Sequence, residues 1–76
     1  MIEYYNTLEE AYVDCRPKSM FLCKKYLSNF SNAEDVIQDV FANTLEFKNQ
    51  NPLKNLSAFV IFKNVIKKCF QYNRNV

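Results

Sequence analysis

Six bases and no acid occupy residues 47–76, interleaved with side-chain amides and aromatic rings. Lys48 and Lys54 belong to the polar run Lys48-Asn49-Gln50-Asn51-Pro52-Leu53-Lys54-Asn55, whose two cations and four side-chain amides can bond phosphate oxygens and base edges. Farther along, Lys63, Asn64, Lys67, Lys68, Gln71 and Arg74 share one arc when residues are spaced at about 100° each. Cations that follow a phosphate backbone, beside rings that stack on unpaired bases, are the chemistry of single-strand nucleic-acid binding. The commoner fate of such groups is plain solvation, as a polar connection without a ligand and a basic end lying in water.

The other charges lie earlier. Residues 1–46 carry all eight acids against four bases, a net −4, whereas residues 47–76 carry +6, so the overall +2 conceals a sharp division. Three of the acids, Asp35, Asp39 and Glu46, fall with Gln38 and Ala42 on one side of a periodic segment. Most charged helix faces are only solvated surface. One that faces a basic helix instead gives electrostatic complementarity.

Composition closes several routes. Glycine and histidine are both absent, which removes phosphate-cradling glycine loops, Ser-His and Cys-His nucleophile pairs, and histidine metal ligands. The chain therefore reads as a non-enzyme with no catalytic residue, no metal and no cofactor. Cys15, Cys23 and Cys69 are odd in number and lack a Cys-x-x-Cys spacing, so they read as reduced core thiols of a cytoplasmic protein. The longest apolar run, Ala58 to Phe62, is far short of the roughly 20 residues that span a bilayer. Met1-Ile2-Glu3 is too polar to open a signal peptide, and no membrane partner is expected.

Seventy-six residues with 49% hydrophobic and twelve aromatic side chains make one small domain, residues 1–76. A chain of this size buries only about 60% of its unfolded surface, so a partner covering more apolar surface would help.

The elements that position these groups are helical. From Ala33 to Phe47 the apolar residues Val36, Ile37, Val40, Thr44 and Phe47 share one side, with Phe41 and Leu45 at its edge. Ser31 with Glu34 three residues on reads as a capping box, and so does Thr7 with Glu10. A helix beginning near Leu8 meets Pro17, where it is expected to kink into a pair of helices. Asn51 with Pro52 is placed to cap a helical turn in the polar loop. A last helix runs from about Leu56 to Tyr72 with Phe59, Phe62, Ile66, Cys69 and Phe70 as its core stripe. Ile61, Val65 and Tyr72 extend the apolar surface beyond that stripe, Ile61 and Val65 more as core than as a contact face. Without glycine turns β structure is hard to place, so the fold class is all-α, a small bundle of three to four helices.

The stretch Ala33-Glu34-Asp35-Val36-Ile37-Gln38-Asp39-Val40-Phe41, followed by a polar loop and an aromatic, basic last helix, resembles region two of the bacterial sigma factors. The likeness is greatest to the extracytoplasmic-function type and spans about Tyr12 to Arg74, with only those nine residues matching sharply. It implies that Asp35, Gln38, Asp39, Ala42 and Leu45 dock on the clamp helices of the largest subunit of core RNA polymerase. It also implies that Lys48, Asn49, Asn51, Lys54 and Asn55 from the loop join Lys63, Asn64, Lys67, Lys68, Gln71, Tyr72 and Arg74 from the helix. Together these would capture the non-template single strand of the promoter −10 element. Phe59 stands where members usually have tryptophan, and the ending Gln71-Tyr72-Asn73-Arg74 stands where they commonly have Asp-Tyr-x-Arg.

A helix-turn-helix domain for the upstream promoter element has no room in 76 residues. The resemblance therefore implies the region-two subunit of a two-subunit sigma factor, acting with a second sigma-like polypeptide. The Met1 start and the charged finish favour a natural small protein over a fragment. Two other readings stay open: a protein-only regulator, adaptor or anti-sigma-like mimic, that binds polymerase or sigma without reading DNA, and a general helical DNA-binding protein.

Overall fold

Thr7 starts the first helix as its residue type dictates. Its hydroxyl accepts the Glu10 N–H at 3.2 Å, the hydroxyl half of the capping box, and donates to the Glu10 carboxylate at 3.0 Å, so the carboxylate takes the Thr7 hydroxyl where the box would give it the backbone N–H. The structure, a computed structural model, describes residues 3–74; the readings placed on Met1, Ile2, Asn75 and Val76 lie outside them. Within that range three helices follow one another: α1 (Leu8–Tyr26), α2 (Ala33–Gln50) and α3 (Ala58–Arg74). A 3₁₀ turn, Phe30–Asn32, leads into α2. The chain is an all-α small bundle.

Helix α1 does not divide at Pro17. It runs unbroken through the proline, and both Pro17 and Val13, the residue whose carbonyl loses its helical donor, are exposed. Water can satisfy that carbonyl, which is why the proline is tolerated here. The Ser31 box does not form either. Asn29 takes over: its side-chain oxygen accepts the Ser31 N–H at 3.1 Å and the Ser31 hydroxyl at 2.8 Å. Asn32 occupies the N-cap of α2 without a side-chain bond. Glu34 turns instead to Arg16 of α1 in the one ion pair among the described residues, a charge-assisted contact stronger than a neutral cap bond. Arg16 also reaches the Tyr12 hydroxyl at 2.9 Å.

Asn51 both ends α2 and opens the turn with Pro52, but its side chain caps the helix behind it rather than the turn ahead. Its backbone N–H and its side-chain amide both donate to the Phe47 carbonyl, at 2.9 and 3.1 Å. A four-residue turn follows with Pro52 in second position, closed by the Lys54 N–H on the Asn51 carbonyl at 3.0 Å.

Two residues on each side do form β structure. Strand β1 (Tyr4–Tyr5) pairs antiparallel with β2 (Leu56–Ser57), Tyr4 opposite Ser57 and Tyr5 opposite Leu56. The expectation of no strands rested on missing glycine turns, but these partners come from distant parts of the chain and need no hairpin. The pairing shortens α3 at its start, where the Ser57 hydroxyl accepts the Val60 N–H at 3.3 Å. Buried Tyr5 anchors the strand: its hydroxyl donates to Asp14 and accepts from the Cys15 thiol at 3.4 Å.

The core stripe of α3 is rotated from the expected one. Ala58, Ile61, Val65 and Cys69 are buried, whereas Phe59 is 74% exposed, Phe70 is 47% exposed and Phe62 and Ile66 are half-buried. Both sides of this helix are apolar, so periodicity alone does not choose between them. Packing chooses. The buried row of α1 is Ala11, Cys15, Ser19 and Cys23, four small side chains at every fourth position, with Cys23 against Cys69 of α3, and small residues on α3 suit the close approach that such a row permits.

The end of α1 is closed by a residue from the far end of the chain. The Asn73 side chain accepts the Ser28 N–H at 2.8 Å and donates to the Tyr26 carbonyl at 2.9 Å. Many helices stop at a glycine in left-handed geometry; here no described residue has a positive φ, and a tertiary amide satisfies the end instead.

Candidate nucleic-acid interface

Lys63, Lys67 and Arg74 lie within about 40° of one another on α3 at helical spacing, with Phe59 and Phe70 beside them. All five are exposed, no acid occurs on this helix, and none of the three cations makes an ion pair among the described residues. This is a face on which cations alternate with rings. Phe70 is held by an edge-to-face contact with Tyr26, ring centroids 5.8 Å apart. Half-buried Gln71 sits at the edge of that face, and half-buried Lys68, about 100° beyond Lys67 at helical spacing, lies off it.

Beside it, between the second half of α2 and the start of α3, lies a groove of about 230 Å³. Phe47, Leu56, Val60 and Ile61 give it apolar walls, and Asn43, Asn55 and Asn64 bring three side-chain amides to it. Apolar walls with a few convergent amides suit a flat heterocycle that stacks on one side and hydrogen-bonds along its edge.

The expected nucleic-acid residues do not form one surface. Asn55 and Asn64 line the groove, and Lys63, Lys67 and Arg74 share the open face; Lys54 is exposed on the loop, whereas Lys48, Asn49 and Gln50, expected there, belong to the last turn of α2, with Asn49 exposed. Lys48 and Asn51 are engaged elsewhere. The Lys48 ammonium donates to the Lys54 carbonyl at 2.8 Å and pins the loop to the helix end, while Asn51 caps α2. Tyr72 is not a free ring, because its hydroxyl donates to Asp39 at 2.7 Å. That bond, reinforced by desolvation, pushes the Tyr72 phenol up to about 12.

The acidic side of α2 keeps most of its expected members. Asp35, Gln38, Ala42 and Leu45 are exposed on one side of the helix. Asp39 is half-buried and committed to Tyr72, so the two charged surfaces are not separate but joined across the α2–α3 seam.

Asn43 and Phe47 were missed as site residues. Phe47 reads from its spacing as core, yet it is 42% exposed and forms a wall of the groove. Only the meeting of α2 and α3 brings Asn43 to the same groove as Asn64, and no signal within α2 marks it.

No protein-family model, curated protein or solved structure matches the chain. No helix of the described residues is long and apolar enough to cross a membrane.

Proposed function

We propose that the chain is a transcription-initiation module resembling sigma factor region two. The outer side of α2, with Asp35, Gln38, Ala42 and Leu45, docks on core RNA polymerase. The open face of α3 holds unpaired promoter DNA of the −10 element, and the groove at Asn43, Asn55 and Asn64 takes one expelled base. A second polypeptide supplies the domain that reads the upstream element. The observation that carries this reading is the adjacency of an acid-free face of cations and rings to a base-sized groove lined with amides. Backbone cations give affinity and stacking adds about 1–3 kcal/mol per base. The same adjacency has no evident use in holding the bundle together.

The test is co-purification with core polymerase followed by promoter opening. Asp35→Arg should abolish polymerase binding, whereas Lys63→Glu/Lys67→Glu should keep it and lose opening. A chain that never associates with polymerase, with or without a partner polypeptide, would end this reading.

One observation favours the protein-only alternative. Lys48, Asn51 and Tyr72, three of the expected DNA contacts, each donate a side-chain hydrogen bond to the protein itself. Under that reading the Lys63→Glu/Lys67→Glu variant binds polymerase and regulates it as the unmodified chain does.

A further inference from the structure

Cys23 of α1 and Cys69 of α3 are both fully buried, and their sulfurs lie 3.9 Å apart with the Cys69 thiol directed at Cys23. They come from the two helices that pack through small side chains, and 46 positions of chain separate them. Independently of any role in transcription, we infer that this pair is an oxidative modification site: a two-electron oxidant of the peroxide class converts it to a disulfide that clamps α1 to α3.

The sulfurs already face one another across the seam, so closing to the roughly 2 Å of a disulfide needs a side-chain rotation and a small approach of the helices. The chemistry balances in two steps. A thiolate of the pair attacks one peroxide oxygen, forming a sulfenic acid and releasing hydroxide, which takes up the proton that the thiol lost and leaves as water. The neighbouring thiol then attacks the sulfenic sulfur, the S–S bond forms and a second water departs. Overall, two thiols and one hydrogen peroxide give one disulfide and two waters.

Burial, followed by the nearby Cys69 sulfur, pushes the Cys23 thiol up to about 12, and burial raises Cys69 as well. The closed pair is therefore slow to react, and oxidation proceeds through brief openings of the seam. Once the first sulfur is oxidised, the second is within reach before other chemistry intervenes. Cys15 is an internal control. It is buried too, but its thiol donates to the Tyr5 hydroxyl, and it stands eight residues before Cys23, about 12 Å along the helix.

The experiment treats the reduced full chain with hydrogen peroxide at neutral pH, then maps the thiols by mass spectrometry and records thermal melting. The expected product has lost two hydrogens, contains a peptide linked through Cys23 and Cys69, and leaves Cys15 free. Its melting temperature should rise by on the order of 10 °C, because the bond closes a long loop of the unfolded chain, and the rise should vanish on reduction with dithiothreitol. Cys69→Ser should remove both the linkage and the shift. If that variant fails to fold, the unmodified chain still decides the matter. Sulfinic acid at Cys23 or Cys69 without a linkage, a bond through Cys15, or the expected bond with no rise in melting temperature would each overturn the proposal.

Discussion

Replacing Lys67 with glutamine should flatten the salt dependence of single-strand binding by one phosphate contact, whereas the same change at Lys48 should not. Lys63, Lys67 and Arg74 are exposed without ion-pair partners among the described residues, and Lys54 is exposed on the loop. Lys48 is held on the Lys54 carbonyl and does not count. Each neutralised phosphate on a single strand contributes about −0.7 to the slope of log affinity against log salt, so four contacts give roughly −2.8. Between about 50 and about 200 mM salt the unmodified chain should then lose roughly 50-fold in affinity and Lys67→Gln roughly 20-fold. Fluorescence anisotropy of a labelled single-stranded oligonucleotide across that range reads both numbers, with melting curves verifying that each variant is folded. The reasoning is refuted if Lys48→Gln lowers the slope as much as Lys67→Gln does, or if binding does not respond to salt.

Asn73→Ala removes the amide that serves both Ser28 and Tyr26, and should cost about 1–2 kcal/mol, lowering the melting temperature by roughly 4–16 °C. Asn73→Asp keeps the acceptor for the Ser28 N–H and should fall between, a series that thermal denaturation resolves. Ile61→Ala should destabilise by about 2–5 kcal/mol because the side chain is 2% exposed. Phe59→Ala should change stability by no more than about 0.5 kcal/mol, and its effect should appear in oligonucleotide binding. The reverse order in urea titrations would return Phe59 to the core. Stability should also decline at alkaline pH. Tyr72 is raised to about 12 by Asp39 and burial, so its contribution is complete below the ordinary phenol value near 10 and is lost as pH rises through about 12. Tyr5 is raised by burial and its bond to Asp14 and acts in the same direction. Urea midpoints measured from about pH 8 to about pH 11.5 should fall toward the alkaline end, and fall less for Tyr72→Phe.

Local signals in the chain sufficed for what depends on neighbours in sequence. The Thr7 cap follows from a hydroxyl and a carboxylate three residues apart, and the buried side of α2, exposed Phe47 excepted, from a one-sided distribution of Val36, Ile37, Val40 and Thr44 with Phe41 at its edge. The charge division between residues 1–46 and 47–76 is likewise a property of composition. Where two local partners competed, the sequence named a plausible one and tertiary packing selected another. Glu34 had a backbone donor nearby, but an arginine brought in by α1 offered a charge. Asp39 lay on an open acidic side until Tyr72 arrived from α3.

The face of α3 could not be read from the sequence because aromatic and aliphatic residues occur all round it. Packing against the small side chains of α1 decided that Phe59 and Phe70, expected in the core with Cys69, stay out while Ile61 and Val65 fill the inner side. The groove at Asn43, Asn55 and Asn64 likewise exists only because two helices and a two-residue strand meet there. Sequence by itself thus determined the helices, their charges and the chemistry available, since these follow from periodicity, capping and composition. Tertiary structure alone decided which groups remain unoccupied, since a hydrogen bond or a buried surface goes to whichever partner packing brings within reach.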